Sequence, residues 1–368
     1  MDELLYRIAV TLLPGIGAVR TRALLARFDS LEAFFSASPS TLLRLPGFGE
    51  HLASREVREK ALHLAEQEVA FVRKHHIRTL WFLDDRYPAR LKQCDDAPVL
   101  LYLQGEVDLE ATRVLSVVGT RHATPYGLER CHAILAGLAE RFPGLLIVSG
   151  LAYGIDVCAH RAALKQGLPT VAVLGHGLQM IYPAAHRGIA REIVAHGGLL
   201  TEYSTHHVPD KKNFIARNRI IAGLADATLV VESGEKGGAL ITADLANSYH
   251  RDVLALPGRA GDERSKGCNR LIKKNQAALI EDADDIAYFL GWETTDPKEK
   301  NLQTTLFPEL SPEEQLLLDI LREQHELPLD ELAALANLPV SKASALLLNL
   351  EFAGLVRNLP GNLYQSTG

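Results

Sequence analysis

Between residues 111 and 292, short apolar runs alternate with amphipathic stretches of helical length, and this alternation restricts the fold more than any other feature of the chain. The runs are Val114 to Val118, Leu145 to Ser149, Thr170 to Leu174, Leu199 to Glu202, Ala227 to Glu232, Val253 to Leu256 and Ala277 to Ile280. Uninterrupted apolar strands need cover on both faces, and helix-length connections supply it as βαβ crossovers. The spacing predicts an α/β protein with a mainly parallel, doubly wound sheet. Ligands of such sheets bind at the carboxyl ends of the strands.

The flanking regions read differently. Residues 1–75 carry short helical patterns and two matching turns, Leu13-Pro14-Gly15-Ile16-Gly17 and Leu45-Pro46-Gly47-Phe48-Gly49. Glycine there permits positive φ, and a glycine-flanked turn that opens a helix can offer N–H groups to phosphate. This region resembles a tandem helix-hairpin-helix or SAM-like unit, a sequence-independent DNA-binding or packing module. Its 10 basic and 9 acidic residues nearly cancel, so a structural or dimerising role stands beside DNA contact. Residues 76–110 form a connector whose run Val99 to Leu103 predicts an edge strand. Residues 293–308 are polar and read as a linker. In 309–368, helical patterns over Pro312–Glu323, Leu329–Ala336 and Ser341–Ala353 precede two short strands around a turn, which predicts a winged helix. Its recognition helix has Lys342 as sole cation, and from Ser311 to Tyr364 there are 3 basic against 8 acidic residues. A duplex-gripping face needs positive charge, so this module fits a protein partner better.

The formal net charge of −6 argues against a nucleic-acid partner until its distribution is considered. From Lys211 to Lys274 there are 12 Lys/Arg against 7 Asp/Glu, and partner choice follows the local field. The four cysteines, Cys94, Cys131, Cys158 and Cys268, are widely separated and form no C-x-x-C pair, which predicts buried free thiols. The histidine doublets His75-His76 and His206-His207 lack a helix-spaced carboxylate, so no metal site is expected. An acidic N-terminus and the lack of a bilayer-length apolar run predict a cytoplasmic protein without membrane insertion.

The chemistry concentrates in Lys211-Lys212-Asn213-Phe214-Ile215-Ala216-Arg217-Asn218-Arg219. Four cations, amides and one ring suit a phosphate backbone with an unpaired base stacked beside it. The arginines run into Ile220-Ile221-Ala222-Gly223-Leu224, which places them at the start of a helix, where backbone N–H groups favour anions. A core position for Phe214 and a solvated rim of cations is the competing reading. Glycine-rich strand ends lie elsewhere: Gly119-Thr120-Arg121, Ser149-Gly150 to Asp156, Gly175-His176-Gly177, and Ser233-Gly234-Glu235-Lys236-Gly237-Gly238 leading to Thr242. Together with Arg121, Lys211, Arg217, Arg219 and Lys236 they point to a phosphate-bearing ligand. Neither G-x-G-x-x-G after the first strand nor G-x-x-x-x-G-K-[ST] occurs, so no dinucleotide or nucleoside triphosphate cofactor is expected. Asp156, Glu202 and Glu232 could converge as hydrolytic acids.

In combination and order, these motifs resemble the DNA processing protein A (DprA/Smf) family. The specific pieces are Gly119-Thr120-Arg121, Ser149 to Asp156 followed by Ala159-His160, Tyr182-Pro183, Phe214 to Ile221, Gly238 to Thr242, Leu256-Pro257-Gly258 and Gly267 to Ile272. The resemblance implies an extended Rossmann-like core between a helical unit and a winged helix. It further implies a non-enzymatic single-stranded DNA-binding recombination mediator that protects incoming strands and helps load RecA in natural transformation, paired as a homodimer through its core. On that resemblance Arg121, Lys211, Arg217 and Arg219 would hold phosphates while Phe214 packs on a base. Ser149, Gly150, Asn218, Lys236, Gly237, Gly238 and Thr242 complete the expected DNA site. The chain departs from the family pattern at Ile215, where proline is usual, at Gly237, where serine is usual, and at Thr201. The alternative is a related Rossmann-like nucleoside-monophosphate hydrolase with a P-G-G-x-G-T-x-x-E loop, against which Leu240 and Leu245 replace the glycine and the glutamate.

Overall fold

The computed structural model describes residues 3–45, 48–292, 310–352, 355–359 and 363–366. Two compact units divide the chain, residues 1–293 and 294–368. Pro46 and Gly47 of the second turn, the expected linker 293–308, Ala353, and the turn 360–362 lie outside the described residues.

The strands of the first unit are β1 (Arg78–Trp81), β2 (Leu100–Gln104), β3 (Val114–Val118), β4 (Leu146–Ser149), β5 (Thr170–Val173), β6 (Gly197–Thr201), β7 (Ala227–Val230), β8 (Asp252–Ala255) and β9 (Ala278–Leu279). They form one nine-stranded sheet in the order β1-β2-β6-β5-β4-β3-β7-β8-β9. Pairing is parallel from β6 through to β9, while β1 and β2 are joined antiparallel at the β6 edge. Each apolar run of the sequence analysis from Val114 onward overlaps one of these strands, although β6 begins two residues and β8 one residue ahead of the expected run. The run at Val99, expected at an edge, is interior instead. The reason is β1, only four residues long and without a readable alternation, which pairs outside it.

Both faces of the sheet are buried, as parallel pairing requires. Leu115, Val117 and Ile147 face the helices Pro125–Arg141, Ile155–Lys165 and Ala283–Phe289. Val114, Val118, Leu146 and Val148 point the other way, into a core shared with Lys211–Leu224, Gly238–Ser248 and the N-terminal helices. Tyr6, Ile8, Phe34, Ala61 and Ala65 belong to that same core together with Leu100 to Leu103. The helical segment therefore does not stand alone. Buried Glu68 on the helix Arg55–Lys74 reinforces the joint by accepting the Thr205 N–H at 2.9 Å as well as its hydroxyl. In the first glycine turn Gly15 takes a positive φ of 71°, whereas Gly17 is extended and precedes the helix Ala18–Leu25.

The second unit contains the helices Pro312–Gln324, Leu329–Leu335 and Val340–Phe352, and a sheet of β10 (Glu326–Pro328), β11 (Val356–Leu359) and β12 (Leu363–Ser366) in the order β10-β12-β11. This is a winged helix with one strand more than the sequence suggested. A capping box between Ser311 and Glu314 opens its first helix. Lys342 pairs with Glu313 at 2.5 Å, so the recognition helix presents no unpaired lysine. No single helix among the described residues is long and apolar enough to cross a membrane.

His160 gives the first unit a defined acid sensitivity. Its Nδ1 lies 2.7 Å from Thr170 Oγ1, whose own proton goes to the Ile147 carbonyl, so Nδ1–H is the donor. Burial, with Arg217 and His186 nearby, lowers the imidazole to about 3. The unfolded chain has an ordinary histidine near ~6.5. Above that pH neither state binds the proton. Below it only the unfolded state does, so stability falls as pH drops from about 6.5 toward about 3. We expect urea unfolding of the wild type to lose about 1.4 kcal/mol more per pH unit in this window than His160→Asn. Equal slopes for the two proteins would contradict the assignment.

Candidate nucleic-acid interface

Strand β3 has β4 on one side and β7 on the other, although the chain visits β5 and β6 between them. Strand order reverses at this point, and the loops leaving the carboxyl ends diverge and leave a crevice. A cleft of about 920 Å³ lies there. Its walls come from Val118 to His122 at the end of β3, Ala152 and Asp156 after β4, and Ser233, Gly234 and Lys236 to Ala239 after β7. The helix Lys211–Leu224 closes one side with Lys211, Phe214, Ile215, Arg217 and Asn218.

The loop after β3 is stitched at both ends. Thr120 N–H donates to the Glu232 carbonyl at 2.7 Å, and Ile155 N–H donates to the Thr120 carbonyl at 3.2 Å. Glu232 also accepts Thr124 N–H at 2.9 Å and Thr124 Oγ1 at 2.7 Å, which anchors the start of the helix Pro125–Arg141. On the opposite wall, Asn218 Nδ2 and Thr242 Oγ1 both donate to the Gly238 carbonyl. They fix the first turn of the helix Gly238–Ser248, where Gly237 supplies no side-chain cap. Backbone donors there remain suited to an anion.

The electrostatics divide into floor and rim. Arg121, Lys211, Lys236 and Arg264 are exposed around the cleft. Arg217 lies at the floor with only 4 % of its surface accessible. It donates to the Val173 carbonyl, and its Nε is buried without a partner. Burial pushes the guanidinium down to about 10, with nearby Asp156 opposing the shift and Arg121 adding to it. Burial likewise raises the Asp156 carboxyl, against the pull of Arg217. The two groups meet over Gly150, where any Cβ would overlap the guanidinium and crowd the carboxylate. A side chain at 150 would therefore displace the Arg217 and Asp156 head groups from these positions.

Of the fourteen residues expected to form a DNA site, Gly119, Thr120, Arg121, Lys211, Phe214, Arg217, Asn218, Lys236, Gly237, Gly238 and Thr242 line this cleft. Ser149, Gly150 and Arg219 do not. The buried Ser149 hydroxyl donates to the Val117 carbonyl at 2.6 Å, and Gly150 lies beneath Arg217. Arg219 departs because the helix begins at Lys211, capped by Asp210, rather than near Ile220 as the apolar run suggested. Two residues apart on a helix is about 200°, so Arg217 and Arg219 point in opposite directions. Arg219 reaches Glu202 at 2.6 Å and Asp96 at 3.9 Å. Among the three candidate hydrolytic acids, Asp156 alone lines the cleft. Sequence reasoning missed Arg264, which donates to the His122 carbonyl at 2.7 Å, because it lies in a polar loop without a motif. It also gave no role to Tyr182, whose ring stacks on Phe214.

An α/β core whose cleft has a basic rim and an aromatic wall, preceded in the chain by a helical segment and followed by a winged helix, fits a class of nucleic-acid-handling proteins. The chain belongs to the DNA recombination-mediator protein A family, whose profile matches residues 78–291. A DprA winged helix domain matches 303–362, and a SAM-like helix-hairpin-helix tandem matches 8–56. Protein Smf of Synechocystis is 34% identical over 99% of both chains. A putative DNA processing protein DprA of Mycobacterium tuberculosis is 35% identical, covering 83% of this chain and 82% of its own. The solved structure of DNA processing protein A from Streptococcus pneumoniae superposes with a TM-score of 0.66 at 32% identity, over 78% of this chain and 98% of that one. DNA processing protein A from Helicobacter pylori, studied for its single-stranded DNA binding mode, gives a TM-score of 0.53 at 30% identity, over 59% and 96%.

The position of Arg219 yields a stability prediction. Arg219→Met leaves the largely buried Glu202 without its partner and should destabilise the fold by about 3 kcal/mol, whereas adding Glu202→Gln should recover part of that loss. Chemical denaturation of the single and double variants measures both quantities. A single variant as stable as wild type would show that the pair is dispensable.

Proposed function

We propose that this chain binds single-stranded DNA in the cleft at the carboxyl ends of β3, β4 and β7, with the phosphates on the rim and the bases toward the aromatic wall. The observation that carries this reading is the convergence of Arg121, Lys211, Arg217, Lys236 and Arg264 with Phe214 and Tyr182 on one cleft. Separate cations would bind any polyanion. An aromatic surface beside them favours bases that are not paired. The single-stranded DNA binding described for the Helicobacter pylori relative supports the same assignment.

In this reading the protein is a recombination mediator rather than an enzyme. It would hold and protect incoming strands and help load RecA during natural transformation, acting in the cytoplasm as a homodimer joined through the core. Asp156 works in this scheme as the counter-charge that orients Arg217. Glu202 and Glu232 are engaged with Arg219 and Thr124, which disfavours a nucleoside-monophosphate hydrolase. Release of free base from AMP would reverse that conclusion.

Titration of labelled oligo-dT followed by anisotropy tests the proposal. Affinity should fall steeply between low and moderate salt. Arg121→Ala or Lys236→Ala should weaken binding and reduce the log–log salt slope by about 0.7 for each phosphate that is no longer neutralised. Binding that ignores ionic strength, or an equal preference for duplex DNA, would contradict it. RecA loading is tested separately by RecA-dependent ATP hydrolysis on single strands with and without the protein.

A further inference from the structure

The aromatic wall is built in layers, and its outermost layer is not Phe214. The Phe214 ring packs against Gly175, where any Cβ would come within 2.7 Å of Phe214 Cδ1. Tyr182 covers the ring from another side, with centroids 5.5 Å apart and planes 28° from parallel. Phe214 is consequently half-buried, whereas Tyr182 keeps 48 % of its surface exposed at the same cleft. Tyr182 is also held in place from behind. Its N–H donates to His176 Nε2 at 3.3 Å, and the other ring nitrogen of that buried histidine, Nδ1, lies 2.9 Å from the Gly177 carbonyl. With Nδ1–H as donor, Nε2 is left as the acceptor that this arrangement requires. A half-exposed ring on a fixed backbone, backed by a second ring, makes a stacking platform that loses little freedom on binding.

We propose that Tyr182 is the residue on which a base of the bound strand stacks, and that Phe214 is a positioning residue that supports it. This inference rests on the strand-binding reading above and refines it. Tyr182 confers preference for strands that carry bases over a bare sugar-phosphate chain, while the rim cations bind both.

The experiment compares the full chain and its variants on two strands of equal length, oligo-dT and an abasic oligonucleotide, with a third strand carrying 2-aminopurine as an optical probe. Wild type should favour oligo-dT over the abasic strand by roughly tenfold, the size expected for one stacked base. Tyr182→Ala should bind both strands with the affinity that wild type shows for the abasic one. Tyr182→Phe, which keeps the ring, should keep the preference. Binding should quench 2-aminopurine with wild type and Tyr182→Phe, but not with Tyr182→Ala or Tyr182→Leu. Tyr182→Ala with an undiminished preference and undiminished quenching overturns the inference while leaving strand binding intact. Wild type that binds neither strand overturns the strand-binding reading and this inference together.

Discussion

The architecture of the cleft depends on one constraint, the position of β3 between β4 and β7. After β6 the chain must return across the sheet to reach β7, and the helix Lys211–Leu224 makes that crossing. Its first turns thereby overhang the carboxyl ends of the central strands, and the loops on either side diverge beneath it. Lys211 and Arg217, in those first turns, are delivered to the crevice by this crossing, whereas Arg219, on the opposite face of the helix, is not. The three loops that face them come from separate strands, and the Thr120 bonds to Glu232 and Ile155 keep those loops in register.

Burial separates the two arginines of this helix. A guanidinium removed from water is costly unless its charge and donors are answered. Arg219 has its charge answered by Glu202 and Asp96 and lies off the cleft, although its Nη1, like Arg217 Nε, is buried without a hydrogen-bond partner. Arg217 is only partly answered. One nitrogen reaches Val173, Nε has no partner, and Asp156 balances the charge from nearby. Incomplete compensation at the bottom of an open cleft is the condition under which an incoming anion gains most.

Much of this was legible in the sequence, for physical reasons that differ from element to element. The central strands were visible because doubly covered strands must be continuously apolar, as at Val114 to Val118. β1 and β10 were not, since Arg78-Thr79-Leu80-Trp81 and Glu326-Leu327-Pro328 mix polar residues or proline with apolar ones and form no continuous apolar run. The cluster of cations around Phe214 was visible as composition. Its geometry was hidden, because the polar residues from Lys211 onward are helical without an apolar stripe, and Asp210, the actual cap, was not recognised as one. The Tyr182–Phe214 stack joins a loop residue to a helix residue far apart along the chain, and no local pattern encodes such a pairing.

The shared core beneath β1 and β2 bears on what the smallest self-sufficient piece of this protein would be. The family profile begins at residue 78, yet Leu100 to Leu103 are covered by aromatic and aliphatic side chains from earlier helices. A fragment cut at the profile boundary would uncover an aliphatic sheet surface. It would also release the clasp between Glu68 and Thr205, which lies just before Asp210, the cap of the cationic helix. The amino-terminal helices thus act as a lining for the sheet and a brace for the crevice, whatever else they contact.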